Sequence, residues 1–256
     1  MEAVRKGAAV VGIRAKDSVI LAIERRAAAK LQVRSTSPPL LHFFAFTPSN
    51  PPICVYMHTQ PESFQDDRTL EKIVRLDDHI SVAYAGMSAD ARVIVNKART
   101  ECQSYRLQVE DAPSVEYIAR HIGQMQQKYT QRGGVRPFGL ALLVAGVGSD
   151  GVPQLWSSDP SGVYCAWKAN AVGRSSKSLL EMLEKQYVEG CSEEEALKLA
   201  VRSLLEVVES GAKSVEVCIM RKGVPMDKVS EARIEALAAT IEKEKQEAEN
   251  GGGGNA

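Results

Sequence analysis

Aromatic side chains make up only 5% of the 256 residues, and neither sign of charge is in surplus, since 32 Lys and Arg face 32 Asp and Glu. A nucleic-acid binder shows a basic excess or stripe, so that class is excluded on electrostatic grounds. Long apolar runs are missing as well. The one stretch of membrane-spanning length, 39–58, is broken by Pro39, His42, Pro48, Asn50, Pro51 and Pro52, where a spanning helix needs about 20 mostly apolar residues. No apolar core follows a basic start at the N-terminus, so no secretory signal is expected and the chain reads as intracellular. The five cysteines, Cys54, Cys102, Cys165, Cys191 and Cys218, are scattered without a C-x-x-C pair, which favours reduced thiols over a disulfide frame or a zinc site.

What is present is patterned. Residues 8–14 and 18–24 are Val- and Ile-rich runs joined by Ala15-Lys16-Asp17, a hairpin signal. Both are nearly continuous rather than alternating, as expected of strands covered on both faces. Further strands are expected at 79–85, 140–145, 152–157, 162–167 and 215–220, separated in part by the turns Ser149-Asp150-Gly151 and Asp159-Pro160-Ser161-Gly162. Helices fall between them in pairs. From Ser88, Ala91, Ile94, Val95, Ala98, Cys102 and Tyr105 step by three and four, and Val115, Ile118, Ala119, Ile122, Met125 and Tyr129 do so after Ser114. A second pair carries Leu179, Leu180, Leu183 and Tyr187, then Leu197, Ala200, Val201, Leu204 and Val208; the latter helix opens on a capping box, Ser192 and Glu195, and stops at Gly211. A last helix from about Ser230 becomes a Glu/Lys run, with a flexible tail expected from about 245 to 256. The order predicts a single α+β domain over 1–256: two stacked sheets with helices on both outer sides, a four-layer αββα sandwich.

Several motifs reduce to turns and caps. Gly146-Val147-Gly148-Ser149-Asp150-Gly151 matches the dinucleotide fingerprint, but a strand pattern follows where a helix would have to begin, so the glycines read as a hairpin turn. Gly173-Arg174-Ser175-Ser176-Lys177-Ser178 lacks the opening glycine of a phosphate loop and reads as a helix N-cap. Asp77-Asp78-His79 reads as a turn entering a strand, because neighbours on a strand point to opposite faces and cannot all converge on a metal. His121 lies beside an apolar helical stripe, and His42 and His58 lie far from it in sequence; with four histidines so dispersed, a metal centre or a Ser-His-Asp triad has little support.

One segment is compositionally foreign. Residues 33–65 hold four of the five Phe (Phe43, Phe44, Phe46, Phe64) and six of the eleven Pro, with Arg34 and Glu62 as the only charged residues.

Outside that segment, from Glu2 to Gln32 and from Asp66 to about Asn250, the sequence resembles proteasome alpha subunits, closest to the alpha-4 (alpha type-7) class. The resemblance rests on Glu2-Ala3-Val4-Arg5-Lys6-Gly7, Leu76-Asp77-Asp78-His79, Ala85-Gly86-Met87-Ser88-Ala89-Asp90-Ala91-Arg92, the run from Tyr129 through Arg136-Pro137-Phe138-Gly139, Asp159-Pro160-Ser161-Gly162 and Ala171-Val172-Gly173-Arg174. It implies the N-terminal-nucleophile hydrolase sandwich, in agreement with the layers above, and a place in the seven-membered outer ring of the 20S core particle, in cytoplasm and nucleus. The implied partners are other alpha subunits, beta subunits, and activators or regulatory-particle ATPases, with no cofactor or metal. In active beta relatives the nucleophile is the hydroxyl of an N-terminal threonine, with its own α-amine as base. The matching position here is Ala8, so no catalytic residue is expected, although Glu24 and Lys72 fall where those relatives carry a supporting acid and lysine. By the same resemblance Lys72 lines a pocket between neighbouring subunits, near Gly7 and Met87, and pairs with the C-terminal carboxylate of an activator or ATPase tail, a charge-assisted contact.

Two departures from the family bear on these expectations. Alpha subunits begin well before Glu2, with a gating tail and a helix that leads into Glu2-Ala3-Val4, so the gate role of that region is not expected of this chain. In the family, Ala29-Lys30-Leu31-Gln32 runs directly into Asp66-Asp67-Arg68-Thr69-Leu70-Glu71-Lys72-Ile73, which makes 33–65 an insertion of 33 residues. Valine codons begin GT and one of the two glutamine codons ends AG, so Val33 and Gln65 have splice-compatible ends, as a translated intron would. A genuine surface loop is the other reading, but one this long would expose Phe43, Phe44 and Phe46. A truncated, intron-bearing product unable to assemble, and an active N-terminal-nucleophile hydrolase, are the competing functional readings; Ala8 opposes the second. Sequencing the transcript across codons 32 to 66 is expected to find a message that joins Gln32 to Asp66, and exclusive retention of the segment would establish the loop instead.

Overall fold

The computed structural model describes residues 2–25, 71–148, 150–207 and 214–251, with side chains as far as Glu244. The chain divides into two units, one of Met1–Ala27 with Lys72–Ala256 and one of Ala28–Glu71. Apart from Glu71, the second unit lies outside the described residues, and with it the insertion at 33–65, His42, His58 and Cys54.

In the first unit the elements run α1 (Glu2–Arg5), β1 (Val10–Arg14), β2 (Ser18–Glu24), β3 (Ile73–Asp77), β4 (Ile80–Gly86), α2 (Ser88–Val109), α3 (Val115–Gln131), β5 (Leu140–Val147), β6 (Pro153–Ser158), β7 (Tyr164–Ala166), β8 (Ala169–Val172), α4 (Ser176–Gln186), α5 (Glu193–Val207), β9 (Val215–Arg221), β10 (Val224–Lys228) and α6 (Glu231–Gly251). They build two five-stranded antiparallel sheets, ordered β10-β9-β2-β1-β8 and β3-β4-β5-β6-β7.

The continuous apolar runs explain the layers. In a strand, successive side chains point to opposite faces. Along β5, Leu140, Leu142 and Val144 join the core under α2 and α3, while Ala141, Leu143 and Ala145 join the core between the sheets. Along β2, Ile20 and Ala22 turn toward α4 and α5, and Val19, Leu21 and Ile23 turn inward. Each such strand therefore feeds two cores, and the sandwich has three. With about 1.5–3 kcal/mol for each fully buried Leu or Ile side chain, neither sheet face can be left to water. The expected α+β four-layer αββα fold is the observed one.

Local chemistry sets the helix starts. At α5 the capping box forms as the spacing predicts: Ser192 N–H donates to Glu195 Oε2 at 2.9 Å, and Glu195 N–H to Ser192 Oγ at 3.3 Å. Ser114 accepts from Tyr117 N–H at the head of α3. At α4 the helix begins where expected, but Ser175 takes a left-handed conformation, φ 53°, and its side chain makes no cap bond. The glycines after β5 do form a turn, with Gly151 N–H donating to Gly148 O at 2.9 Å. The expected stop of α5 at Gly211 lies outside the described residues.

Three strands carry no clear sequence signal. β10, Val224–Lys228, is an edge with every residue exposed or half-exposed and Pro225 within it; β3 and β8 are also edges, short and only partly apolar. β7 is shorter than the 162–167 run, because Gly162 is spent on a turn in which its N–H donates to Asp159 O at 2.9 Å.

Truncation inside the inter-sheet core is expected to be far costlier than on a helix surface. Leu143→Ala should lower stability by about 2–5 kcal/mol, whereas Leu107→Ala, at a side chain 84% exposed, should stay within about 0.5 kcal/mol. Denaturant unfolding of the two variants checks the contrast.

Candidate functional site

The three residues expected to line a pocket lie along one end of the β3-β4-β5 sheet. Gly7 follows α1, its N–H donating to Val4 O at 2.9 Å. It backs directly onto β4: a Cβ placed there would sit 2.5 Å from the Gly86 nitrogen. Gly86 has φ 127°, a conformation that side chains rarely adopt, and any Cβ on it would meet Gly139 O. Three backbone segments thus close on one another with no side chain between them. Met87 comes next as the N-cap residue of α2, with its N–H donating to Gly139 O at 3.0 Å and its side chain 42% exposed beside Gly139.

Lys72 is half-buried at the entry to β3, where its carbonyl accepts from Tyr84 N–H at 3.2 Å. Gly7 and Met87 are brought together around Gly86 and Gly139, and Lys72 stands just before β3, which pairs with the same strand β4 that leads into Met87.

The position matching a nucleophile is closed. Ala8 is 3% exposed, carries no hydroxyl, and its nitrogen is part of a chain that runs without a break from Glu2. Glu24, at the end of β2, is buried and fully engaged: Oε2 accepts from Ala9 N–H at 3.3 Å and Oε1 from Arg174 Nη2 at 2.6 Å. Gly173, with φ 99°, passes so close to Ala8 that a Cβ would strike the Ala8 carbonyl. Arg174 therefore occupies Glu24, the acid that a catalytic lysine would need.

Sequence reasoning did not single out Gly86, Gly139, Asp90, Arg136 or Arg174 as site residues. All five stand inside the family stretches quoted above, which mark the residues but not which of them pair. The ion pairs join residues 46 and 150 positions apart, which no local pattern discloses. Asp90, in the first turn of α2, is 7% exposed and takes both arms of the Arg136 guanidinium at 2.7 Å together with Gly139 N–H at 2.9 Å. The Arg136 bonds hold its carboxyl below the ordinary value, with burial opposing and Gly139 N–H assisting.

The Asp77-Asp78-His79 turn is a structural corner. Burial alone would raise the Asp77 pKa, but two bonds from Arg106 at 3.0 and 3.1 Å and one from Asp78 N–H outweigh it and hold the carboxyl low. Asp78 faces solvent on Arg75, and His79 Nε2 donates to Pro113 O at 2.7 Å. Among the described residues no group of three His, Cys, Asp or Glu side chains is placed to hold a metal ion, and no helix is long and apolar enough to cross a membrane. His121 lies 3.8 Å from Glu101.

Comparison with known proteins gives a consistent picture. The proteasome subunit family model matches residues 54–220. A proteasome subunit alpha type-7 from Dictyostelium discoideum is 48% identical over 246 residues, covering 96% of this chain and 85% of the relative. One from Solanum lycopersicum is 50% identical over 250 residues, covering 97% and 83%. A proteasome subunit alpha type-8 from Mus musculus is 45% identical over 250 residues, covering 97% and 87%.

The two depressed carboxylates tie stability to pH. Their folded pKa values lie below the ordinary 3.8, so the unfolded chain binds more protons in acid; their contribution is complete above that value and is lost as pH falls through the folded ones. Asp77→Asn should therefore be less stable than the parent chain at neutral pH, with the gap narrowing below about pH 3.8. Denaturant unfolding across that range reads it directly.

Proposed function

The chain belongs to the proteasome subunit family, in its alpha-type branch, and from that premise we propose that it serves as a non-catalytic structural subunit of the 20S core particle. It packs beside other alpha subunits and onto a beta subunit, helps to restrict substrate entry, and presents a docking pocket for regulators in ubiquitin-dependent proteolysis. Its place of action is the cytoplasm and nucleus, where such particles degrade proteins.

Ala8 is the observation that carries the non-catalytic reading. Acyl transfer by an N-terminal nucleophile needs a hydroxyl or thiol and a free α-amine at one residue. Ala8 has neither, and it is buried with the Gly173 backbone close against its carbonyl. The acid that could orient a lysine is neutralised by Arg174. These features disfavour the active-hydrolase alternative. The extent of the match to alpha-type relatives disfavours a product unable to assemble.

The docking reading rests on Gly7, Lys72 and Met87. The Lys72 ammonium is suited to a tail carboxylate, which it would meet in a charge-assisted hydrogen bond, short and about twice as strong as a neutral one. Lys72→Ala in reconstituted core particles should weaken activator binding about tenfold or more while leaving ring assembly intact. Unchanged activator binding would remove Lys72 from the site. Assayed by itself, the purified chain should hydrolyse no peptide substrate, and turnover by the isolated subunit would overturn the non-catalytic reading.

A further inference from the structure

We infer that Asp90 and Arg136 are positioning residues of the proposed docking pocket: the pair pins Gly139 against Met87 and cancels a negative charge that would otherwise repel an incoming carboxylate. The inference rests on the docking reading of Gly7, Lys72 and Met87.

The geometry is a chain of bonds with one anchor. Met87 N–H donates to Gly139 O at 3.0 Å. The N–H of the same Gly139 donates to Asp90 Oδ2 at 2.9 Å, and Arg136 closes on Oδ1 and Oδ2 at 2.7 Å each. Both backbone polar groups of Gly139 are therefore held, its carbonyl by Met87 and its N–H by the Asp90 carboxylate. Gly139 in turn abuts Met87 so tightly that a Cβ would lie 2.9 Å from the Met87 sulfur. A shift of Gly139 has to move the wall that Met87 forms.

Little else fixes the segment that delivers Gly139. Residues 131–137 are all exposed, and Gly133 and Gly134 face open space. The loop is anchored next at Phe138, buried and packed at a tilt against Tyr129 with ring centroids 4.5 Å apart. The bidentate fork is thus the polar tie between an open loop and the first turn of α2, and its fixed planar geometry suits that task better than a single ammonium would.

The charge matters as well as the geometry. Asp90 stands three residues from Met87, and the other titratable groups near it on α2 are basic, Arg92 and Lys97. A carboxylate-ended tail seated at Lys72 would approach a site that already holds an anion. Arg136 makes that anion part of a neutral pair. Removing only the arginine leaves Asp90 charged, so the loss should be electrostatic, and removing the carboxylate's charge as well should return part of it.

Core particles assembled with each variant, checked intact on native gels, are titrated with a fluorescent peptide copying the C-terminus of a regulatory ATPase, as free acid and as amide. Arg136→Gln should weaken the free acid about tenfold and narrow its preference over the amide. Arg136→Lys should recover part of the affinity, and so should the double variant Asp90→Asn/Arg136→Gln. If Arg136→Gln binds the free acid like the parent while Lys72→Ala does not, the clamp is wrong and the docking reading survives. If the double variant is no better than Arg136→Gln, Arg136 does not act by cancelling Asp90. If Lys72→Ala leaves binding unchanged, the docking reading fails and the inference falls with it.

Discussion

Burial of both faces of the central strands is the constraint on which the rest depends. β1, β2 and β5 are buried at every position but the last of β1, and their apolar side chains alternate between an inter-sheet core and a helix-covered core. A strand of that kind cannot lie at a surface. Two sheets must stack, and each needs helices on its far side, so the four layers follow from strand composition rather than from any one contact. The helices need only one apolar stripe each, which is why their outer faces remain polar and free to take on other work.

Within that frame, function depends on where backbones come together without side chains. Gly7, Gly86 and Gly139 let α1, the end of β4 and the start of β5 touch, and this seam sets Met87 at the head of α2. A second close approach, Gly173 on Ala8, seals the position at which active relatives of the fold carry their nucleophile. Glu24 and Arg174 then satisfy each other across 150 residues of sequence. The same scaffold corner that could host chemistry is filled here by an alanine and an ion pair.

Much of this was legible in the sequence, for physical reasons that differ from element to element. The cores of β1, β2 and β5 and the stripes of α2 through α5 announced themselves because burial demands a period, and Ser192 with Glu195 announced a cap because two backbone donors need acceptors at that spacing. β3, β8 and β10 did not, since an edge strand is half solvated and its residues obey no strict alternation. Ser175 does stand at the N-cap of α4, yet it takes a left-handed backbone, φ 53°, and its side chain makes no cap bond. At the site, Ala8, Lys72, Gly7 and Met87 came from motif resemblance. Asp90 with Arg136 and Glu24 with Arg174 could come only from three dimensions, because ion pairs between distant segments leave no local pattern.

The central claim is that this chain is built into the alpha ring as a non-catalytic member. Native mass spectrometry of core particles purified through a tagged beta subunit tests it most directly. The account predicts intact particles that contain this chain and release it as one of the alpha subunits on dissociation. Particles complete in every other subunit and consistently lacking this chain would contradict it.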